Sequence, residues 1–170
     1  MLEFLNGLWR PSRIGGEYIL HPGKPNECRV KNTVTGDGAA LFLRNLFRAE
    51  AVMPATFYLG LTNASYTYSS ALLVDIAAGE PTVGGYGRQP ILRDIPSWVI
   101  SQISDTTRCR SIPVTFTATA QWDKQWTRMF LCDAASGTVG TVFSLSKALD
   151  PQTVLAGQGP SMAYEHWIRP

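Results

Sequence analysis

The sequence predicts a mainly β protein: an antiparallel β-sandwich, jelly-roll-like, with one or two short helices and an extended N-terminal arm. Three observations carry this reading. Apolar and polar residues alternate with period two in several short runs, the mark of half-buried strands. Gly 15 and Pro 11 in 170 residues supply frequent turns. Helical periodicity is confined to the front of the chain, and the absence of βαβ alternation disfavours a doubly wound parallel sheet.

Residues 1–31 read as the arm and residues 32–170 as the sandwich domain. The arm carries Pro11, Gly15, Gly16, Pro22, Gly23 and Pro25, which break regular elements. It also holds the whole net charge of +2, with Arg10, Arg13, Lys24, Arg29 and Lys31 against Glu3, Glu17 and Glu27. Trp, Tyr and Arg are the residue types that most often anchor interfaces. Phe4, Leu8, Trp9, Arg10, Arg13 and Tyr18 are therefore the candidate interface residues of an arm lying on a neighbouring subunit.

Residues 34–51 form the one long amphipathic pattern. Thr35 or Asp37 can cap it, Ala39, Ala40, Leu43, Leu46, Phe47 and Ala51 recur at helical spacing, and Pro54 closes it. Residues 56–62, TFYLGLT, alternate as a strand. Ser70 to Ala78 suits a short helix begun by Ser69 or Ser70 and ended by Gly79-Glu80-Pro81. Strands follow near Tyr86–Arg93 and Trp98–Ile103. Ile112 to Ala120, IPVTFTATA, shows the clearest alternation, with threonines on the solvated side. Thr127 to Asp133 and Thr138 to Leu145 pair antiparallel across a turn at Gly137, the second with Val139, Thr141, Phe143 and Leu145 on one face. Gln152 to Ala156 and Ser161 to Ile168 complete the set. The expected core joins Phe57, Leu59, Leu61, Val114, Phe116 and Phe143 to the helix residues Leu43, Leu46 and Phe47.

Composition narrows function. The charged fraction is low, 16%, and the net charge of +2 forces no strongly basic face, so nucleic acid is not an expected partner. No apolar run is long enough to insert in a membrane, and the opening MLEFLNGLWR lacks the basic n-region of a secretory signal. Cys28, Cys109 and Cys132 form no C-x-x-C pair, and His21 and His166 lie far apart, so neither a metal site nor a cofactor is expected. Asn63-Ala64-Ser65 matches a glycosylation sequon but carries little weight without a secretory signal.

Catalytic signatures are equally sparse. There is no G-x-S-x-G elbow, and a Cys132–His166 pair has no local signature. Gly84-Gly85-Tyr86-Gly87-Arg88 lacks the phosphate-cradling pattern and reads as a turn where backbones approach closely. Trp122-Asp123-Lys124-Gln125-Trp126 reads as a loop with two indoles on the rim; sugar binding there is the minority reading. The chain is not expected to be an enzyme.

Several segments taken in order carry a resemblance. Asn32-Thr33-Val34-Thr35-Gly36 precedes a short helix, then come Phe57 to Ala64, Gly85-Tyr86-Gly87-Arg88, Val114 to Ala118, Phe130 to Thr138 and Leu149 through Gly157. In that order the chain resembles a family of tailed-bacteriophage virion structural proteins, tail-fibre-like or head-associated, over roughly residues 32–159. The resemblance implies a small β-rich protein that works through surfaces in the virion, assembled in the host cytoplasm. Two roles are compatible: a cement or decoration protein that clamps capsid subunits, as a homotrimer against the major capsid protein or another virion protein, and a tail-fibre or baseplate component that attaches to the host surface. The absence of a coiled-coil, collagen-like or β-helical shaft favours cement. The family brings no catalytic motif.

Overall fold

The computed structural model describes residues 13–48, 53–65 and 71–169. Ten strands are present among these residues: β1 Arg13–Leu20, β2 Cys28–Val34, β3 Thr56–Thr62, β4 Gln89–Leu92, β5 Trp98–Ile103, β6 Thr106–Ser111, β7 Val114–Thr115, β8 Arg128–Cys132, β9 Val142–Ser146 and β10 Ser161–Arg169. Two α-helices, α1 Gly36–Leu43 and α2 Leu73–Ala77, accompany them, and a π-helical turn, Arg44–Arg48, continues α1. All pairings are antiparallel, in the order β4-β3-β8-β9-β2-β1-β10-β6-β5, with β7 also on β10.

The mainly β, antiparallel class is as the sequence predicts. The strands belong to one sheet curled into a half-barrel, where the sequence suggested two sheets packed face to face. Curling brings the two halves of the sheet over the same core. The Tyr18 hydroxyl, from β1, donates to the Ser144 carbonyl on β9 at 3.0 Å. Phe57 on β3 packs edge-on against both Trp98 on β5, 5.9 Å between ring centres, and Phe143 on β9, 5.1 Å. Phe57, Leu59, Leu61, Phe116 and Phe143 share one buried cluster, with Val114 packed against it.

Residues 13–31 are not an arm. β1 lies between β2 and β10, paired along its full length with β10 from Arg13↔Arg169 to Leu20↔Met162. The glycines that suggest a broken segment serve close packing instead. A Cβ on Gly15 would stand 2.3 Å from the Trp167 ring, and one on Gly16 would stand 2.8 Å from the Asn32 side chain and the Glu165 carbonyl. A strand interior accepts glycine where a neighbour approaches this closely. The only break is the loop after Leu20, where His21 adopts φ 51 and its N–H bonds the Ser161 carbonyl.

The helix begins where expected. Thr35 is the N-cap, its hydroxyl accepting from Gly38 N–H at 3.0 Å and donating to the Val142 carbonyl. Gly38 then sits against the β9 backbone, where a Cβ would meet Phe143 Cα at 2.6 Å. That contact sets the rotation of α1 and overturns the expected stripe: Leu43 is 52% exposed and Phe47 75% exposed. The wider π turn from Arg44 rotates the following residues away from a 3.6-residue register. The side chain of Leu46 and all of Ala51 lie outside the described residues.

α2 forms where expected, capped by the Leu72 backbone alone; Ser69 and Ser70 lie outside the described residues. It covers the other face of β8, so that Phe130 and Cys132 pack with Leu73 and Ile76 while Met129 and Leu131 face the main core. β8 is buried on both faces from Met129 on, which explains the unbroken apolar run MFLC. From Val114 to Thr119 the alternation is as predicted, with Phe116 and Ala118 buried and the threonines exposed, although only Val114–Thr115 joins the ladder; Ile112 and Ala120 are exposed. The return strand begins at Val142, and Val139 is exposed in the preceding loop. Residues 152–156 make a single bridge, Trp126↔Gln152. Replacing Phe116 with Ala is expected to cost about 3–5 kcal/mol, the usual range for a buried phenylalanine. Urea unfolding monitored by circular dichroism measures it, and a loss no larger than that of Thr117→Ala would show that the Phe116 site collapses without a cavity.

Candidate interaction surface

The pairing registers build a charged face from residues far apart in sequence. Val99, Arg110, Glu165, Glu17 and Lys31 stand opposite one another in turn across β5, β6, β10, β1 and β2. Opposed residues share a face of the sheet, so the row crosses the side away from the Tyr18–Tyr164 core. In the adjoining row Ser101 opposes Arg108 and Arg108 opposes Trp167.

Glu165 anchors this face. Its carboxylate is buried, accepts from Arg108 Nη1 at 3.1 Å and lies 3.5 Å from Arg29 Nη1. Arg29 also reaches Glu27 at 3.0 Å and Glu17 at 3.4 Å. Burial works against the Arg29 charge, but Glu165, Glu27 and Glu17 outweigh it and hold the guanidinium above its ordinary pKa. Glu27 is held below the usual carboxylate range, first by the Gly23 N–H and then by Arg29. The Arg110 side chain makes no hydrogen bond or ion pair to another described residue. An open groove of about 540 Å³ is lined by Arg29, Arg108 and Arg110 together with Val99, Ile103 and Ile112. Its chemistry is mixed, arginine beside aliphatic side chains, which suits a protein surface better than a small anion.

A second polar constellation is sealed inside. The Arg88 side chain, 2% exposed, forms a bidentate pair with Glu80, at 2.6 Å from Nη2 and 3.0 Å from Nε. Its remaining N–H groups donate to the carbonyls of Ala134, 2.9 Å, and Gly137, 2.7 Å, and its plane lies over the Phe130 ring. The Tyr86 hydroxyl donates to Glu80 at 2.6 Å and accepts from Leu61 N–H at 2.9 Å. Burial, and then the Glu80 charge, push the phenol far above its ordinary pKa. Acid, phenol and guanidinium are thus all engaged with the fold, and the group works as a clamp joining the end of α2 to β3, β4 and the β8–β9 turn. The Gly84–Arg88 segment is the turn the sequence suggested, with Gly84 and Gly85 at φ 71 and 74.

Cys132 and His166 do not form a pair. Cys132 lies in the α2 cluster, where burial pushes its thiol up to about 11. His166 stands on β10, its ring stacked on Tyr164 and Nδ1 3.5 Å from that hydroxyl. Burial lowers the His166 pKa. In the unfolded chain a histidine titrates near ~6.5. Between that value and the lower folded value the unfolded state binds more protons, so this contribution is fully present above about pH 6.5 and is lost as pH falls through the folded value. Urea midpoints measured from about pH 5 to 7 are expected to rise with pH, and His166→Gln to flatten the slope. An unchanged slope in the variant would assign the titration to other groups.

The tryptophan loop is not a sugar platform: Trp122 and Trp126 are buried in the main core, and Asp123 accepts from Thr82 N–H and hydroxyl, both at 2.7 Å. Of the residues expected at an interface, Phe4, Leu8, Trp9 and Arg10 lie outside the described residues. Arg13 opens β1, and its side chain is also outside the description. Tyr18 is a core residue, fully buried, and cannot meet a partner. Sequence reading missed Glu165, Arg108 and Arg110 because strand register alone unites them; it missed the Glu80–Arg88 pair because the two residues sit on either side of a turn. No helix among the described residues is long and apolar enough to cross a membrane. No family model, curated protein or solved structure matches the chain.

Proposed function

We propose that this chain is a non-enzymatic virion structural protein of a tailed bacteriophage, a cement or decoration protein that clamps neighbouring capsid subunits. The resemblance over residues 32–159 supports the virion setting. One structural observation supports action through a surface: Val99, Ile103 and Ile112 stand exposed and line one open groove with Arg108 and Arg110, an aliphatic and arginine-rich patch. Arginine beside apolar contact area is the composition of protein interfaces. Arg110 is placed to meet a carboxylate of a capsid subunit, which would orient docking more than strengthen it. The curled sheet supplies a stiff body for the clamp, in the place of the jelly-roll-like sandwich.

Imaging of purified particles with an antibody to this chain tests the reading. Label spread over the shell is expected, with particles lacking the chain releasing DNA at a lower temperature. Label confined to the tail would favour the tail-fibre or baseplate role, and absence from purified particles would overturn both.

A further inference from the structure

The two ends of the sheet are unlike. β4, at one end, is four residues long and contains Pro90, whose nitrogen carries no proton for a neighbouring strand. β5, at the other, runs six residues, WVISQI, without a charge, a proline or a register shift against β6. Natural sheet edges are blunted by those devices, and β5 has none of them. Val99, Ile100 and Ile103 are 59%, 74% and 57% exposed, and among the described residues nothing pairs with the outer side of β5.

The direction of the free backbone groups follows from the hairpin. Ile103 opposes Thr106 across the two-residue turn Ser104-Asp105, with Ser104 at φ 56. The closing pair of such a hairpin exchanges both hydrogen bonds, and every second pair repeats the pattern. Val99, Ser101 and Ile103 therefore direct their backbone groups to β6, while Ile100 and Gln102 direct theirs outward.

We infer that β5 is the seam of a two-fold homodimer, pairing antiparallel with β5 of a second copy so that the two sheets become continuous. A two-fold axis at Ser101 sets Ile100 opposite Gln102 of the second copy, and the reverse, so the outward groups of both strands bond reciprocally. The same register sets Val99 beside Ile103 of the second copy on the charged face, an apolar cross-strand pair. No like charges meet, because the nearest, Arg108 and Arg110, stand one strand back. A second copy is the occupant favoured by this self-complementarity. Head-to-tail association into a ring of three would need a second open edge, and Pro90 weakens β4, the strand at the other end of the described sheet. The edge thus favours two-fold assembly over the trimer implied by the resemblance, and it does not depend on the virion reading.

Light scattering of the full chain at tens of micromolar is expected to give twice the 18.7 kDa chain mass. Ile100→Lys should raise the dimer dissociation constant by at least about tenfold, since a lysine on the edge strand is one of the devices that block edge pairing, with circular dichroism unchanged; Leu92→Lys, on the opposite edge, should leave the mass unaltered. A second measurement reads the register. Cα atoms of a non-hydrogen-bonded antiparallel pair lie about 4.5 Å apart, within disulfide reach. Ser101→Cys in a Cys28→Ser background should therefore join to its own copy on mild oxidation, while Asp105→Cys in the same background should not. A one-chain mass, a three-chain mass, or failure of the Ser101→Cys chain to cross-link overturns the seam.

Discussion

A chain lacking residues 1–31 will not fold. The deletion removes β1 from the middle of the sheet and most of β2 with it, leaving β10 without the partner it holds over eight positions and β9 without its continuation toward β1. It also removes Tyr18 and Ile19, both fully buried, and Val30 beside them. Truncating one buried side chain of this size costs about 3–5 kcal/mol, and a whole domain is stable by only about 5–15 kcal/mol. Thermal unfolding of the truncated chain is expected to show no cooperative transition. A transition at the full-length midpoint would mean that β1 is dispensable and the sheet closes without it. Deleting residues 1–12 alone spares every described strand, so the pair of truncations separates the sheet from the segment that precedes it.

Breaking the Glu80–Arg88 clamp from one side should be nearly as damaging. Glu80→Gln leaves a buried guanidinium without its counter-charge, and Arg88→Met leaves the carboxylate so; loss of one member of a buried pair costs about 3–5 kcal/mol. The effect reaches beyond the pair, because Arg88 also holds the Ala134 and Gly137 carbonyls and Glu80 holds Tyr86. For a domain of this size each kcal/mol moves the midpoint by about 2–4 °C, so each single variant is expected to melt about 10 °C lower. The double variant Glu80→Leu with Arg88→Met removes both charges and should recover much of the loss. Single variants within about 1 kcal/mol of the parent would mean that water screens the pair as it does at a surface.

What the sequence alone predicts and what the structure shows differ for physical reasons. Strands whose own residues alternate, such as Thr56–Thr62 and Ser161–Arg169, were legible because period two reports which side faces the core. β6, TTRCRS, carries no such apolar alternation: its neighbours β5 and β10 place it, and no local pattern marks it as a strand. β1 hid behind Gly15 and Gly16, whose usual meaning is a turn; the Trp167 ring that makes them necessary belongs to the other end of the chain. The helix cap at Thr35 was local and visible, whereas the face of α1 was decided by the approach of Gly38 to β9.

What the sequence determined by itself was therefore whatever depends on near neighbours in the chain: the β class, the strand at Thr56–Thr62, the β8–β9 return across Gly137, the cap at Thr35 and the buried side of Val114 to Ala118. Register, and everything built on it, was decided only by the tertiary structure. The row from Val99 to Lys31, the Glu165 cluster and the free edge of β5 exist because distant strands pair with a particular offset, and a shift of one residue would turn each of those side chains to the opposite face.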